Sequence, residues 1–104
     1  TQSGVPIIMK WFLYVLQCSD GTYYTGVTVN MDRRLDEHNN SNRGAKYTRA
    51  RRPVSLIFSW PCDGKSQAYA TEHRFKKLSR RQKEEVIKDE GKQKDFFQPE
   101  RRPG

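Results

Sequence analysis

The stretch WFLYVLQCSDGTYYTGVT, residues 11–28, has the clearest structural pattern in the chain. It begins with six bulky apolar or aromatic residues in a row, which is typical of a strand buried on both faces. Asp20-Gly21 supplies a turn, and the chain then returns as a second strand, so the stretch predicts a β-hairpin. Tyr14 and Tyr24 lie on its two arms and can meet on one face. The two tyrosines are either packing residues of the hairpin or part of a functional surface.

The segment after the hairpin predicts a helix followed by a loop. Asn30 is suited to cap a helix that runs from about residue 31 to residue 39. Arg34 and His38 stand four residues apart on this helix and therefore share a face. Residues 41–53 show no apolar period and contain Gly, Ser, Asn and Pro, which predicts a loop.

The second half of the chain completes a small α+β domain. Apolar residues alternate over 54–60 and predict a third strand, followed by a helix over about 67–78. The capping box SRRQ at 79–82 predicts a further helix that ends near Gly91. The order β-β-α-β-α-α therefore predicts a three-stranded antiparallel sheet covered by helices.

A chain of 104 residues has room for one domain, which we expect over residues 9–91. Residues 1–8 precede a methionine and are interpreted as an N-terminal extension or a cloning remnant. Residues 92–104 are polar except for Phe96-Phe97, and we expect a flexible tail or a docking segment there.

The net charge of +8 and the pI near 9.8 favour polyanionic partners. Nucleic acid is the leading candidate, ahead of an acidic membrane surface, because the sequence has no apolar run of about 18 residues or more and no basic amphipathic helix. Cys18 and Cys62 belong to no CxxC pair, which argues against a structural zinc site. A reduced, cytoplasmic protein is the simplest expectation.

Two basic runs contain no acidic residue, one with five cations between positions 43 and 52 and one with six between positions 74 and 83. Contacts to several phosphates would make binding strongly salt-dependent. The alternative is a solvated helix face and a basic loop. The candidate nucleic-acid-binding residues are Arg43, Lys46, Arg49, Arg51, Arg52, Lys76 and Lys77.

Glu72 is the most informative acidic position. Helical spacing places it on the stripe that buries Phe75 and Leu78, and a buried carboxylate needs a cation, either a basic side chain or a metal ion. A single carboxylate suffices for Mg²⁺, which keeps several waters and is completed by substrate phosphates. The alternative is a salt bridge at the edge of the stripe.

Three other side chains could take part in chemistry on a phosphate. Arg34 suits bidentate phosphate contact, although it could equally be a surface residue. A tyrosine acts as a base only where cations lower its pKa, and His38 is the other candidate base because histidine titrates nearest neutral pH.

The ordered set of these residues resembles the GIY-YIG nuclease domain over roughly residues 10–88. FLY at 12–14 takes the place of GIY, and YTG at 24–26 takes the place of YIG. Arg34, His38 and Glu72 follow in the family's order. The chain is most similar to small single-domain members related to the Slx1 structure-selective nuclease. Phe12 replaces the glycine of GIY and leaves the tyrosine in place, and no asparagine follows position 42, whereas some members use one there.

The resemblance implies hydrolysis of phosphodiester bonds that depends on Mg²⁺ or Mn²⁺. It assigns the metal to Glu72, the base to Tyr24 and the orientation of water or phosphate to Tyr14. Arg34 would stabilise the transition state, and His38 would assist proton transfer or contact the phosphate. Gly26 would let the DNA backbone approach the strand closely.

Two functions follow as hypotheses. The first is a DNA endonuclease, structure-selective and active in repair or recombination on branched or single-stranded DNA, with a protein partner as a source of specificity. The second is a non-catalytic nucleic-acid-binding module that recruits other proteins through Phe96-Phe97. No membrane association is expected. The complete set of Tyr14, Tyr24, Arg34, His38 and Glu72 favours the enzyme.

Overall fold

The computed structural model describes residues 10–97, which form three strands and five helices. In chain order these are β1 (Trp11–Gln17), β2 (Tyr23–Thr28), α1 (Met31–Asn40), α2 (Lys46–Arg49), β3 (Ser55–Cys62), α3 (Lys65–Lys76), α4 (Arg80–Lys88) and α5 (Glu90–Phe97). Within this part of the chain, none of the helices has the length and apolar character needed to cross a membrane.

The three strands form one antiparallel sheet in the order β2-β1-β3, which confirms the predicted α+β fold. β1 takes the middle place because residues 13–16 are apolar or aromatic on both faces, and all four are buried. In the register of β1 and β2, Tyr14 lies opposite Gly26 and Leu16 lies opposite Tyr24. Tyr14 and Tyr24 therefore point to the same side of the sheet.

Each face of the sheet has its own apolar cluster. Leu13 and Val15 pack with Ala68, Phe75 and Val86 on one face, where burial of Phe75 alone contributes about 2–3 kcal/mol. The other face carries the cluster of Tyr14, Leu16, Cys18 and Val54, with Tyr24, Met31 and Leu35 packed against it. The tyrosines thus belong to the second, smaller cluster.

The predicted helix caps are present. The Asn30 side chain accepts a hydrogen bond from the Arg33 amide at 3.0 Å, and α1 runs one residue further than expected. Ser79 and Gln82 form the reciprocal capping box of α4. α3 begins two residues earlier than predicted, directly after Gly64.

Two segments differ from the sequence expectation. The predicted loop contains the short helix α2, which forms around the fully buried Thr48. Residues 92–97, expected to be a flexible tail or a docking segment, belong to α5 and pack on the sheet, because Phe97 is buried with its ring 4.8 Å from that of Trp60 and stacked on Phe75 at 6.2 Å. The predicted extension at 1–8 and the rest of the tail at 98–104 lie outside the described residues.

β3 also differs from its expected alternation. A register irregularity opposite Val15 and Leu16 interrupts its pairing with β1. Phe58 and Trp60 stay with the larger cluster, Val54 joins the smaller one, and Leu56 is exposed. The predicted single apolar face of this strand is therefore split between the two sides of the sheet.

Candidate active site

Tyr14 is the buried centre of the smaller cluster. Its ring lies across Gly26, the residue opposite it on β2. A Cβ atom built on Gly26 would stand 2.5 Å from Tyr14 Oη and 2.7 Å from Cζ, both far inside van der Waals contact. Glycine at this position therefore makes room for the tyrosine ring itself.

His38 fixes the hydroxyl of Tyr14 through a hydrogen bond. It is fully buried on α1, with Nε2 2.8 Å from Tyr14 Oη and Nδ1 2.8 Å from Thr48 Oγ1. The Thr48 hydroxyl donates its one hydrogen to the Ala45 carbonyl at 2.9 Å, so it must accept from Nδ1–H. Nε2 is then an acceptor, and Tyr14 is the donor to it. The donors and acceptors around His38 therefore assign it the tautomer with the proton on Nδ1.

Burial keeps both members of this pair neutral. Burial and, to a smaller extent, the positive charge of Arg34 lower the pKa of His38 to about 4. Burial also raises the pKa of Tyr14 to about 12, against the opposing effect of Arg34. At neutral pH, Tyr14 therefore keeps its proton and directs it to His38.

Arg34 connects this buried pair to the surface. Its Nε donates to Tyr14 Oη at 3.3 Å, and its Nη1 donates to Glu37 Oε1 and to the Arg43 carbonyl, each at 2.9 Å. The side chain is 26% exposed. Within residues 10–97 Nη2 has no hydrogen-bond partner, so these N–H groups can reach a ligand.

Tyr24 lies at the opening of the same cluster. Its ring centroid is 5.1 Å from that of His38 and 6.1 Å from that of Tyr47, on which it stacks. It helps to form an open cleft of about 310 Å³ along β2, an edge strand of the sheet. The residues that line this cleft are Tyr23, Tyr24, Thr25, Tyr47, Lys76 and Lys83.

Glu72 does not line this cleft, but it pairs with Lys76, which does. Thr71 and Phe75 occupy the buried stripe of α3, and Glu72 lies at its edge, with 16% of its side chain exposed. Its Oε2 is 3.1 Å from Nζ of Lys76, which corresponds to the salt bridge considered as the alternative from sequence. Its charge acts on Tyr14 and contributes to the raised pKa of that phenol. In the described part of the chain, no three His, Cys, Asp or Glu side chains cluster as metal ligands.

The predicted nucleic-acid-binding residues divide into three groups. Arg52 donates to the His38 and Ser41 carbonyls at the end of α1, and Arg51 pairs with Asp20 and stacks on Tyr47. These two arginines therefore fix the segment that follows α2 against α1 and the hairpin turn. Lys76 pairs with Glu72, while the remaining predicted cations are exposed: Arg43, Lys46, Arg49 and Lys77.

Sequence reasoning missed three residues of this region. Thr48 fixes His38, but it lies ten positions further along in a segment without a period, so no pattern indicated it. Tyr47 carried a weak signal as the one aromatic residue within a basic run. Lys83 was one of six cations in the other run, and only the fold separates it from the rest.

A three-stranded antiparallel sheet with a tyrosine on each arm of its hairpin, backed by arginine and histidine on the next helix, defines a GIY-YIG type of domain. Residues 10–85 match the GIY-YIG catalytic domain. The chain therefore belongs to the GIY-YIG nuclease family, as the resemblance in its sequence implied. The nearer relation to Slx1 stays a prediction.

Similar proteins occur in bacteria and archaea. UPF0213 protein VNG_2274C of Halobacterium salinarum is 56% identical over 75 residues, which cover 72% of this chain and 96% of that protein. UPF0213 protein DP2720 of Desulfotalea psychrophila is 49% identical over 78 residues, covering 75% and 71%.

Two solution NMR structures share the fold. Protein EF2693 of E. faecalis superposes with a TM-score of 0.55 at 40% identity, covering 91% of this chain and 93% of that one. UPF0213 protein BH0048 of Bacillus halodurans superposes with a TM-score of 0.51 at 44% identity, covering 77% and 84%.

Gly26→Ala tests the close approach of Tyr14. We expect the free energy of unfolding in urea to fall by about 1–3 kcal/mol, because the added methyl group displaces the buried ring. In a Tyr14→Leu background the same substitution should cost much less, because the two sites are in contact.

Gly91→Ala is the control, because its Cβ would meet only the end of the Asp89 side chain on an exposed turn of α5. It should leave stability unchanged or slightly higher. An equal effect of Gly26→Ala in the two backgrounds would contradict the account.

Proposed function

We propose that this chain is a divalent-metal-dependent endonuclease that hydrolyses DNA phosphodiester bonds. The observation that carries the proposal is the fixed, neutral Tyr14–His38 pair, joined to Arg34 and set beside Tyr24 at a lysine-lined cleft. Such a cluster combines a preorganised phenol, a cation and a route for a polyanion. A cluster with only a structural role would not need a fixed phenol, a cation and an open cleft side by side.

Tyr14 is the group that orients the attacking water. Its proton is committed to His38 and its oxygen accepts from Arg34, and only 1% of its surface is exposed, so it acts on the water through Arg34 and Tyr24 beside it. Its high pKa supports this role rather than that of a base. His38 has both ring nitrogens occupied and no exposed surface, which favours a positioning role over the direct phosphate contact that the resemblance allowed.

Tyr24 is then the candidate base that takes a proton from the attacking water, since it opens onto the cleft beside the fixed pair. Arg34 is the candidate for stabilising the charge that develops on the phosphate, through the N–H groups that it does not use within the fold. These roles agree with those that the resemblance implied.

Glu72 is the candidate metal ligand. Its carboxylate is partly exposed and its one ion-pair partner in the described chain is a flexible lysine, so its oxygens can be released to a hard cation. One carboxylate with water and substrate phosphate oxygens is an ordinary donor set for Mg²⁺ or Mn²⁺, and the residues present therefore fit such an ion. When bound, the ion would polarise the phosphate and offset its negative charge.

The finer parts of the proposal concern the substrate and its setting. We infer structure-selective action on branched or single-stranded DNA, in repair or recombination, with selectivity supplied by the exposed cations near the cleft or by a protein partner. Two free, buried cysteines are consistent with reducing, cytoplasmic surroundings.

Glu72→Gln tests the enzyme directly. Labelled single-stranded, duplex, flapped and four-way DNA are incubated with the protein in Mg²⁺ or Mn²⁺. Wild type should cleave at least one of them, and cleavage should stop with EDTA. Glu72→Gln should be slower by about 100-fold or more, because the substitution removes the charged ligand. Glu85→Gln, an exposed carboxylate on α4, is the matched control and should cleave like wild type.

Equal cleavage by wild type and Glu72→Gln would exclude Glu72 as the metal ligand. Salt-sensitive binding of the DNA without cleavage by any variant would instead support the non-catalytic binding module. The pair between Glu72 and Lys76 gives that second function its physical basis, because it neutralises the carboxylate without a metal.

A further inference from the structure

The cleft along β2 has the chemistry of an anion site. Two lysines line it, together with Tyr23, Tyr24 and Thr25 of β2 and Tyr47 of α2. Among residues 10–97, no carboxylate belongs to this lining. Glu72 does not line the cleft, but it pairs with Lys76, which does. A phosphate in the cleft would therefore meet two lysines, one of them without an ion-pair partner in the described chain.

Lys83 is the residue of this cleft that has no structural explanation. It extends from α4, is half-buried, and forms no ion pair within the described chain. Its neighbours Arg80 and Lys76 are also cations, and burial with these charges lowers its pKa. Arg80 is engaged, with its guanidinium 3.8 Å above the Tyr23 ring and paired with Glu84. A partly buried ammonium without a counter-ion is unfavourable unless a ligand supplies one.

We propose that Lys83 and Lys76 bind one phosphodiester group of the nucleic-acid substrate in this cleft, next to Tyr24. This inference rests on the proposed function, because it takes the ligand from the substrate class of the nuclease. It makes α4 part of the substrate-binding surface and assigns a role to Lys83 that differs from those of the exposed cations.

Binding of a labelled oligonucleotide in EDTA tests the assignment without any cleavage. Fluorescence anisotropy is measured over a range of salt concentrations for wild type, Lys83→Gln and Lys88→Gln. Lys83→Gln should bind about three- to tenfold more weakly and reduce the salt slope by about 1, because one phosphate contact is lost. Lys88 lies on the same helix and is exposed, and its variant is the control for net charge.

If Lys83→Gln and Lys88→Gln change affinity and slope equally, the cleft site is excluded while the nuclease proposal stands. If wild type binds no oligonucleotide, both proposals fail together. Far-ultraviolet circular dichroism of the variants confirms that each is folded, so that weaker binding is not the result of unfolding.

A different observation concerns Lys76 and the metal. Its Nζ lies 3.1 Å from Glu72 Oε2, at the carboxylate that would hold the metal under the proposed function, on which this inference rests, and about half of its side chain is exposed. We infer that Lys76 competes with the divalent ion for Glu72. A phosphate in the cleft would attract Lys76 away, so that nucleic acid and metal favour each other's binding.

Mn²⁺ binding in the absence of DNA, followed by calorimetry, tests this competition. Lys76→Gln should bind Mn²⁺ about two- to fivefold more tightly than wild type, which is the size expected for one exposed ion pair. Lys77→Gln, an exposed neighbour with the same charge, should change the affinity little. Glu72→Gln should bind the ion much more weakly than any of them.

Equal Mn²⁺ affinity of wild type and Lys76→Gln, or an equal gain in Lys77→Gln, would overturn the competition. It would leave the metal site intact as long as Glu72→Gln still lost the ion. An unchanged affinity in Glu72→Gln would contradict both the competition and the metal site itself.

Discussion

The rest of the site depends on the hydrogen bond between Tyr14 and His38. It joins the central strand to α1, and through Thr48 it reaches α2, so that three elements meet at one imidazole. An unsatisfied buried hydroxyl or ring nitrogen would cost about 1–3 kcal/mol, which makes the arrangement nearly all-or-none. Gly26 leaves the space for the ring, and Arg52 binds the His38 carbonyl from outside. Contacts from several elements of the fold therefore fix the position of a single phenol, that of Tyr14.

The buried Tyr14–His38 pair and the cleft beside it differ in charge. Tyr14 and His38 are neutral because burial opposes any charge on either of them. The cleft is cationic, with two lysines held near Tyr24. Arg34 donates to Tyr14 and pairs with Glu37, while Glu72 pairs with Lys76 of the cleft, so each of these charged residues has an internal partner that a ligand can replace in part. Under the proposed function, the buried pair would position water and the cleft would bind the polyanion, with Tyr24 adjoining both regions.

The sequence was sufficient for those features that depend on neighbouring residues. The hairpin, the two capped helices and the antiparallel order follow from local patterns, and the structure agrees with them. Thr48 and Lys83 could not be identified because their importance depends on contacts between distant elements. The packing of Phe97 on Trp60 was hidden because two aromatic residues in a polar run resemble a loose tail until the sheet face is known. Glu72 was expected on the same buried stripe as Thr71 and Phe75, and it lies at the edge of that stripe with 16% of its side chain exposed, because the ion pair with Lys76 holds the carboxylate towards the surface.

The most direct measurement of the central claim is the protonation state of His38 by long-range ¹H–¹⁵N NMR, followed from neutral pH downwards. The account predicts a neutral ring with the proton on Nδ1, unchanged until the pH approaches the lowered pKa of about 4. His73, exposed on α3, provides the comparison in the same spectra. A proton on Nε2, or protonation near the ordinary histidine pKa of about 6.5, would contradict the account, because Tyr14 would then lose its acceptor.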